Sequence, residues 1–398
     1  MGTMVSMGAT VSAESAAESA TAATESATAT AESTAAATAE SAAAATAAES
    51  ALAALQQLAG GAVLVAGDAM LDRYWFGRVD RISPEAPVPV VTVQAHDARL
   101  GGAGNVAANI AALGGRATLL AVVGDDEAAE ELDALAARAG ITRELIVDRG
   151  GKTTVKLRAI ARHQQLLRAD FEAAPSAAAL DAAADKFAAV VGRHQAVAFS
   201  DYGKGGLARV ADWIATSAAH GVPALVDPKG RDFGKYRGAA LVTPNLAEFE
   251  QVAGPVAAAD LDTGAAAGAA DGLRAKAEKL LRDNDLQRLL VTLGERGMAL
   301  FSRGGEVLRR PARARAVFDV SGAGDTVMAT LALAAAAGVD DEAALALANA
   351  AAGVVVSKVG TATAGVDEIR AALTAELTAE LNADARAGGA PAAPEAGA

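Results

Sequence analysis

The seven residues Asp319-Val-Ser-Gly-Ala-Gly-Asp325 hold the densest chemical signal in this chain. They lie between a strand-like end (Ala316, Val317, Phe318) and an apolar run from Val327 to Ala337 that reads as a helix. Small residues just before a helix leave backbone N–H groups free to converge on an anion, and the helix dipole helps hold it. A carboxylate inside such a nest would be repelled by a bound phosphate. Asp325 therefore reads as a base awaiting a proton, beside N–H donors at Gly322, Ala323 and Gly324 awaiting negative charge. That pairing suits phosphoryl transfer from ATP to a hydroxyl group.

A second glycine cluster, Gly101-Gly-Ala-Gly-Asn105, precedes a helix beginning near Val106. Gly102-x-Gly104-x-x-Ala107 nearly fits a dinucleotide fingerprint, with Asp125 and Asp126 downstream as ribose-binding acids. That turn should directly follow the first strand, whereas here His96-Asp-Ala-Arg-Leu100 comes before it. The preferred alternative lets a polyhydroxylated substrate approach the backbone at Gly101 and Gly102, with Asn105 supplying an amide. Asp72, in Gly67-Asp-Ala-Met-Leu-Asp72, could accept charge-assisted hydrogen bonds from sugar hydroxyls or simply solvate a loop. In Thr243-Pro-Asn-Leu-Ala-Glu248, Asn245 and Glu248 have the spacing of a helix cap. The same pair could order hydrated Mg²⁺ on nucleotide phosphates, since magnesium prefers few carboxylates and several waters. No Walker A sequence occurs, so the nest before Thr326 must take that role if ATP binds.

The elements that would position these groups alternate between short β-like runs and helical patterns. Strands are expected at Ala62–Ala66, Thr118–Val123, Ala196–Ser200, Ala224–Asp227, Ala240–Thr243 and Leu289–Leu293. Helices are expected at Asn105–Leu113, Glu127–Ala139, Leu207–Ala219, Leu273–Arg282, Thr326–Ala337 and Glu342–Ser357. Such alternation predicts an α/β fold, a mainly parallel sheet covered by helices, with ligands at the carboxyl ends of the strands. Asp68, Asp201, Asp227 and Asn245 each follow an expected strand, so one crevice could collect them. Val88–Val93 and Thr153–Arg168 look like extra strands without crossover helices. In the second, Lys156 and Arg158 alternate with Val155, Leu157 and Ala159, placing cations on one face and apolar groups on the other. A small β-lid over about 72–100 and 150–170 would explain this, as would an ordinary surface hairpin. An apolar back needs a cover, so a homodimer through the lid is expected.

Composition excludes several classes. The formal charge is −13, of which residues 1–58 supply six Glu and no Asp, Lys or Arg. No long basic run remains, and aromatics are 3%, which argues against nucleic-acid partners. Cysteine is absent, excluding disulfides and thiolate metal sites and fitting the cytoplasm. No apolar stretch is long enough for a membrane span. Residues 1–58, loose Ala-Glu-Ser repeats, read as a disordered extension, and 383–398 as a disordered tail, leaving 59–382 as the domain.

Taken together, the motifs resemble the ribokinase-like carbohydrate kinases of the phosphofructokinase B type, in order from about Ala62 to about Leu377. The Gly101–Asn105 region and the Asp319–Asp325 stretch match its two signatures, with Ser321 where the family usually has Thr. The resemblance implies a three-layer sandwich with a mainly parallel sheet and a β-lid. It implies ATP as donor, Mg²⁺, and a possible monovalent-cation dependence. Thr292-Leu-Gly-Glu-Arg-Gly297 and Ala348-Asn-Ala-Ala351 match regions that line the family's nucleotide pocket, which implies Thr292, Gly294, Gly297 and Asn349 near ATP. Asn245, Glu248 and Lys229 belong to the same implied set. Arg81–Val90, Lys152–Arg158, Ser200–Gly205 and Asp227–Gly230 are most similar to the branch acting on D-glycero-β-D-manno-heptose 7-phosphate at its anomeric hydroxyl, for lipopolysaccharide synthesis. Some members of that branch carry a nucleotidyltransferase domain; about 20 residues follow Leu377 here, which implies a kinase standing alone. Asp72, Gly102 and Asn105 would then meet ring hydroxyls, and Lys156, Arg158 and Lys204 the substrate's phosphate. The readings left beside it are a kinase of another sugar phosphate, a nucleotide-dependent dehydrogenase and a silent sugar sensor.

Overall fold

The computed structural model describes residues 45–162, 164–262, 272–312 and 317–388. The chain divides into a large unit, Ser50–Leu373, and a small one made of Met1–Glu49 with Thr374–Ala398. Of the small unit, the described residues 45–49 and 374–388 are helical. The large unit carries the site.

It opens with a helix over residues 50–57 (α1), in which Ala51, Ala54 and Leu55 are buried, as is Leu58 just past its end. That spacing is one face of a helix, and alanine is the best helix former. The boundary expected at residue 58 therefore moves back: composition hid a packed helix whose buried face is mostly methyl groups. Residues 1–44 of the expected extension lie outside the described residues. At the other end the last helix runs to Gly388, into the segment read as a tail, and 389–398 lie outside the described residues.

The first strand, β1 (Ala62–Gly67), feeds a hairpin of two long strands, β2 (Ala69–Ile82) and β3 (Pro89–Gly102). Then follow α2 (Ala103–Ala112), β4 (Arg116–Gly124), α3 (Glu127–Arg138) and β5 (Thr142–Asp148). Two more strands, β6 (Thr154–Ala161) and β7 (Gln164–Phe171), precede α4 (Ala177–Val190) and β8 (Ala196–Ser200). Next come α5 (Val210–Ala219), β9 (Ala224–Asp227), β10 (Leu241–Val242) and α6 (Leu246–Ala253). After α7 (Ala258–Asp262) and α8 (Leu273–Asp283) the chain forms β11 (Arg288–Thr292), β12 (Met298–Ser302) and β13 (Val307–Arg310). It closes with α9 (Ala323–Ala337), α10 (Asp341–Val355) and α11 (Val366–Gly388).

Nine strands form one sheet in the order β13-β12-β11-β10-β9-β8-β1-β4-β5, parallel except for β12 and β13. Alternate residues serve opposite helix layers. Leu64, Ala66, Val197, Phe199 and Val226 pack with Phe187, Trp213, Phe249 and Leu281 on one side. There the Phe187 and Trp213 rings stack at 4.8 Å. On the other side α2, α9 and α10 pack together against the sheet. Helix α9 is buried along most of its circumference, which its Ala-rich sequence permits. Each large side chain removed from water contributes about 1.5–3 kcal/mol, so this double-sided core fixes the strand ends firmly. Strand order reverses at β1, with β4 on one side and β8 on the other, and ligands of open α/β sheets gather at such a switch point.

The small sheet, ordered β3-β2-β6-β7, is the expected lid. Its first strand, β2, lies mostly within the expected lid range but was not read as a strand, because Asp72, Arg73, Arg78, Asp80 and Arg81 break its apolar pattern. The register pairs Leu71 with Val155, Asp72 with Lys156 and Tyr74 with Arg158. Cations and Asp72 therefore share one face, and Leu71 and Val155 share the other. Near the hinge that second face is covered by α3 of the same chain, where Ala128 and Leu135 pack on Leu71 and Val155.

Candidate active site

Helix α9 begins at Gly322, whose φ of 78° is left-handed, and no side chain caps it. The N–H groups of a first turn have no carbonyl within their own helix. Ala323 reaches Val320 O only at 3.3 Å. Upstream, Asp319 pins the loop by accepting from Ser321 N and Gly360 N, both at 2.9 Å. These bonds to the charged form outweigh partial burial and hold the Asp319 carboxyl below its ordinary range. The nest expected across Gly322–Asp325 is thus a fixed backbone turn.

Asp325 sits in the first turn of α9, almost fully buried. Its Oδ2 accepts from Asn105 Nδ2 at 2.8 Å and its Oδ1 from the Tyr202 hydroxyl at 2.7 Å. Burial pushes its carboxyl up to about 6, against the pull of Asn105 and Tyr202, with Asp72 raising and Lys156 lowering it further. A carboxylate that titrates near neutrality and is held by two donors is poised to take up a proton.

Asn105 comes from α2, directly after Gly101 and Gly102. Those glycines end the antiparallel strand β3 instead of following β1, so the dinucleotide-fingerprint reading is set aside. Both are required sterically: a Cβ on Gly102 would lie 2.3 Å from Asp68 O, and one on Gly101 2.5 Å from Asp72 Oδ2. Asn105 is itself held by Asn109 one turn on, whose Nδ2 donates to Asn105 O at 3.0 Å. Asn109 Oδ1 accepts from Thr326 Oγ1 and from Ala364 N, each at 3.2 Å. Sequence reasoning did not single out Asn109 or Tyr202. The i, i+4 spacing of two asparagines opening a helix was the available signal for the first.

Asp72 is buried on the lid, where Arg158 donates to its Oδ1 at 2.7 Å. Burial would lower the Arg158 guanidinium, but the bond and charge of Asp72 keep it raised. Arg158 also lies over the Tyr74 ring at 5.2 Å, so Asp72 and Tyr74 engage it. Lys156 on the same face is lowered by burial, with its ammonium 5.1 Å from the centre of the Tyr202 ring. Lys204 pairs with Glu172. Beneath the lid, Lys204, Lys152, Thr154 and Gly206 line a pocket whose two carboxylates, Asp68 and Asp148, are turned onto backbone N–H groups.

Of the four groups expected to share a crevice, Asp68 and Asp201 brace its walls. Asp68 accepts from Tyr202, Lys204 and Gly206 N–H, each at 2.9 Å. Asp201 accepts from Tyr236 and Lys235, both at 2.7 Å. Asp227 is different: burial, then the negative charges of Asp325 and Glu248, push its carboxyl well up. Asn245 and Glu248 form the anticipated capping box, bonded reciprocally at 2.9 and 3.2 Å, and Lys229 donates to Glu248 at 2.7 Å. Thr292 bridges to Asn245 across the sheet. Gly294 and Gly297 turn with φ of 63° and 87°, where a Cβ on Gly297 would strike Arg310 O at 1.9 Å. Asn349 donates to Pro311 O at 2.9 Å.

A turn of backbone N–H groups at the switch point, a buried carboxylate and a lid with cations on one face suit a phosphotransferase acting on a hydroxyl. The chain belongs to the pfkB family of carbohydrate kinases, which it matches over residues 61–368. It is 53% identical over 316 residues to the bifunctional protein HldE of Azotobacter vinelandii, covering 79% of this chain and 64% of that one. It is 48% identical over 314 residues to a D-beta-D-heptose 7-phosphate kinase of Bordetella bronchiseptica, covering 79% and 96%. Its fold resembles Escherichia coli phosphofructokinase-2 in complex with potassium, with a TM-score of 0.67 at 18% identity, covering 80% of this chain and 99% of that one. The chain thus spans under two thirds of the bifunctional relative and nearly all of the single kinase. Among the described residues no helix is long and apolar enough to cross a membrane.

Proposed function

We propose that the chain phosphorylates the anomeric C1 hydroxyl of D-glycero-β-D-manno-heptose 7-phosphate, using ATP, to give the 1,7-bisphosphate. The observation that carries the chemistry is the Asp325 carboxylate, clamped by Asn105 and Tyr202 at the mouth of the nest. Likeness to the Bordetella kinase over 96% of that enzyme supports the choice of sugar and a place in lipopolysaccharide synthesis. In the reaction the C1 oxygen forms a bond to the γ-phosphorus of ATP as its proton passes to Asp325. The bond from that phosphorus to the β-bridging oxygen breaks, and ADP leaves. An anomeric hydroxyl is more acidic than an ordinary alcohol, which eases the demand on a carboxylate base. N–H groups across Gly322–Asp325 face the charge spread over the transferring oxygens. Asp72, Gly101, Gly102 and Asn105 would meet the ring. Thr292, Gly294, Gly297, Asn349 and Lys229 would line the nucleotide side.

Mg²⁺ fits the residues present. The repulsion of Asp325 and Glu248 that helps hold the Asp227 carboxyl up is what a nearby cation would relieve, as Lys229 already does in part. Among the described residues no cluster of three or more His or acidic groups could cage a metal alone. That suits an ion carried mainly by phosphates and water, with Asn245 and Glu248 as its water-mediated partners. Bound there, it would neutralise phosphate charge. A monovalent-cation requirement is open to direct assay with potassium. Dependence on ATP supports a cytoplasmic location.

The assay is ATP turnover against a panel of phosphorylated sugars, with NMR to locate the new phosphate. The heptose 7-phosphate should give the highest kcat/KM and carry its new phosphate on C1. Preference for fructose 1-phosphate or tagatose 6-phosphate would overturn the assignment of the sugar. Lys156, Lys204 and the pocket beneath the lid are the support for a phosphate site, since Arg158 is already engaged by Asp72. Lys156→Ala should raise KM for the sugar phosphate about 10- to 100-fold with little change in kcat, the worth of one charge-assisted bond. An unchanged KM removes Lys156 from the site.

The back of the lid supports a homodimer. Register places Trp75, Leu167 and Phe171 on the face opposite Lys156, and they are 42%, 59% and 53% exposed. An open apolar sheet face of this kind calls for a partner. Light scattering at micromolar concentration should give twice the monomer mass, and Leu167→Lys should halve it. A wild-type monomer would dismiss this interface.

A further inference from the structure

Tyr202 has no part in the chemistry derived so far beyond its contact with the base. It follows β8 in a loop that Asp68 fixes by three N–H bonds. Its ring passes close to the α2 entrance, where a Cβ on Gly102 would lie 3.4 Å from Cδ2. Its hydroxyl ends 2.7 Å from Asp325 Oδ1, while Asn105 takes Oδ2 from the opposite wall. The carboxylate plane is therefore set by two donors on separate elements, and each oxygen keeps a lone pair for an incoming proton. The groups facing Asp325 are Asn105 from α2, Tyr202 from the β8 loop, Asp72 and Lys156 from the lid, and Asp227 from β9.

We infer that Tyr202 is a positioning residue, holding the Asp325 carboxylate toward the attacking hydroxyl. The Tyr202 ring is packed by the Lys156 ammonium at 5.1 Å, which helps fix the ring in place. Burial and the charge of Asp325 hold its hydroxyl well above the ordinary tyrosine range, so it stays a donor throughout the working pH range. The inference rests on Asp325 being the base.

The test is Tyr202→Phe, which keeps the ring and removes only the donor. Turnover should fall about 10- to 100-fold, the range for a hydrogen bond to a charged group, with KM for ATP within about twofold. The acid limb of kcat/KM, expected near pH 6 in the parent, should move up by about one unit, because a donor to the charged form has been lost. In an Asp325→Asn background the same change should cost less than about threefold, since a residue acting through the base has nothing left to act on. An unmoved acid limb, or equal losses in both backgrounds, overturns the inference. Near-normal turnover of Asp325→Asn alone would instead overturn the reading of the base.

Discussion

Asp325→Asn is expected to lower turnover by about 10²–10⁴ while leaving ATP affinity nearly unchanged. The substitution preserves volume and an oxygen for the Tyr202 hydroxyl, but an amide cannot take the proton of the attacking alcohol. The backbone turn of Gly322–Asp325 stays intact, so the phosphoryl stabilisation proposed for it is kept and the expected loss has a floor. Folding should survive. In the parent, the carboxyl is raised from 3.8 to about 6, so the folded state binds its proton more tightly than the unfolded chain. Stability therefore falls as pH rises between those values, and above about 6 the cost of a buried charge stays fully present. Removing the charge relieves that cost. Against it stands the new amide facing Asn105 Nδ2, a donor opposite a donor, which offsets part of the gain. Turnover from ADP release, ATP-analogue affinity from calorimetry and a melting curve together check the prediction. A variant that turned over at the parent rate would exclude Asp325 as the base.

Much of this site was legible because its parts are contiguous in sequence. Gly322–Asp325 lies at one helix start, Gly101–Asn105 at another, and Asn245–Glu248 has the spacing of the capping box it forms. What escaped was whatever depends on two distant elements meeting. Tyr202 is 123 residues from Asp325, and only the closing of β8 against α9 makes its hydroxyl relevant. Arg158 has the composition of a phosphate ligand; pairing of β2 with β6 instead delivers it to Asp72. Among elements, α4 and the helix over 50–57 were missed because alanine supplies half of their buried faces. Small methyl groups pack well yet give little periodic contrast. Strands β12 and β13 were missed for a different reason: they return antiparallel at the sheet edge, outside the alternation of parallel strands and crossover helices.

Gly322→Ala should abolish most activity without unfolding the protein. The residue has φ of 78°, a region that costs an L side chain about 1–2 kcal/mol. More important is what the methyl would meet: Asn105 Nδ2 at 2.7 Å, the atom that holds Asp325. One added carbon thus tilts the nest and dislodges the donor on the base. Loss of a preorganised donor costs about 10²–10³ in turnover, and kcat is expected to fall by at least that much. The same helix supplies its own control. Gly338 at its far end has φ of 70°, and an added methyl there would find nothing within 4 Å, so Gly338→Ala imposes the same backbone strain far from the chemistry. That variant should melt a few degrees lower, about 1–2 kcal/mol, and keep its kcat. If the two alanines depress kcat equally, strain in α9 and not the geometry of its first turn governs the rate, and the nest loses its role.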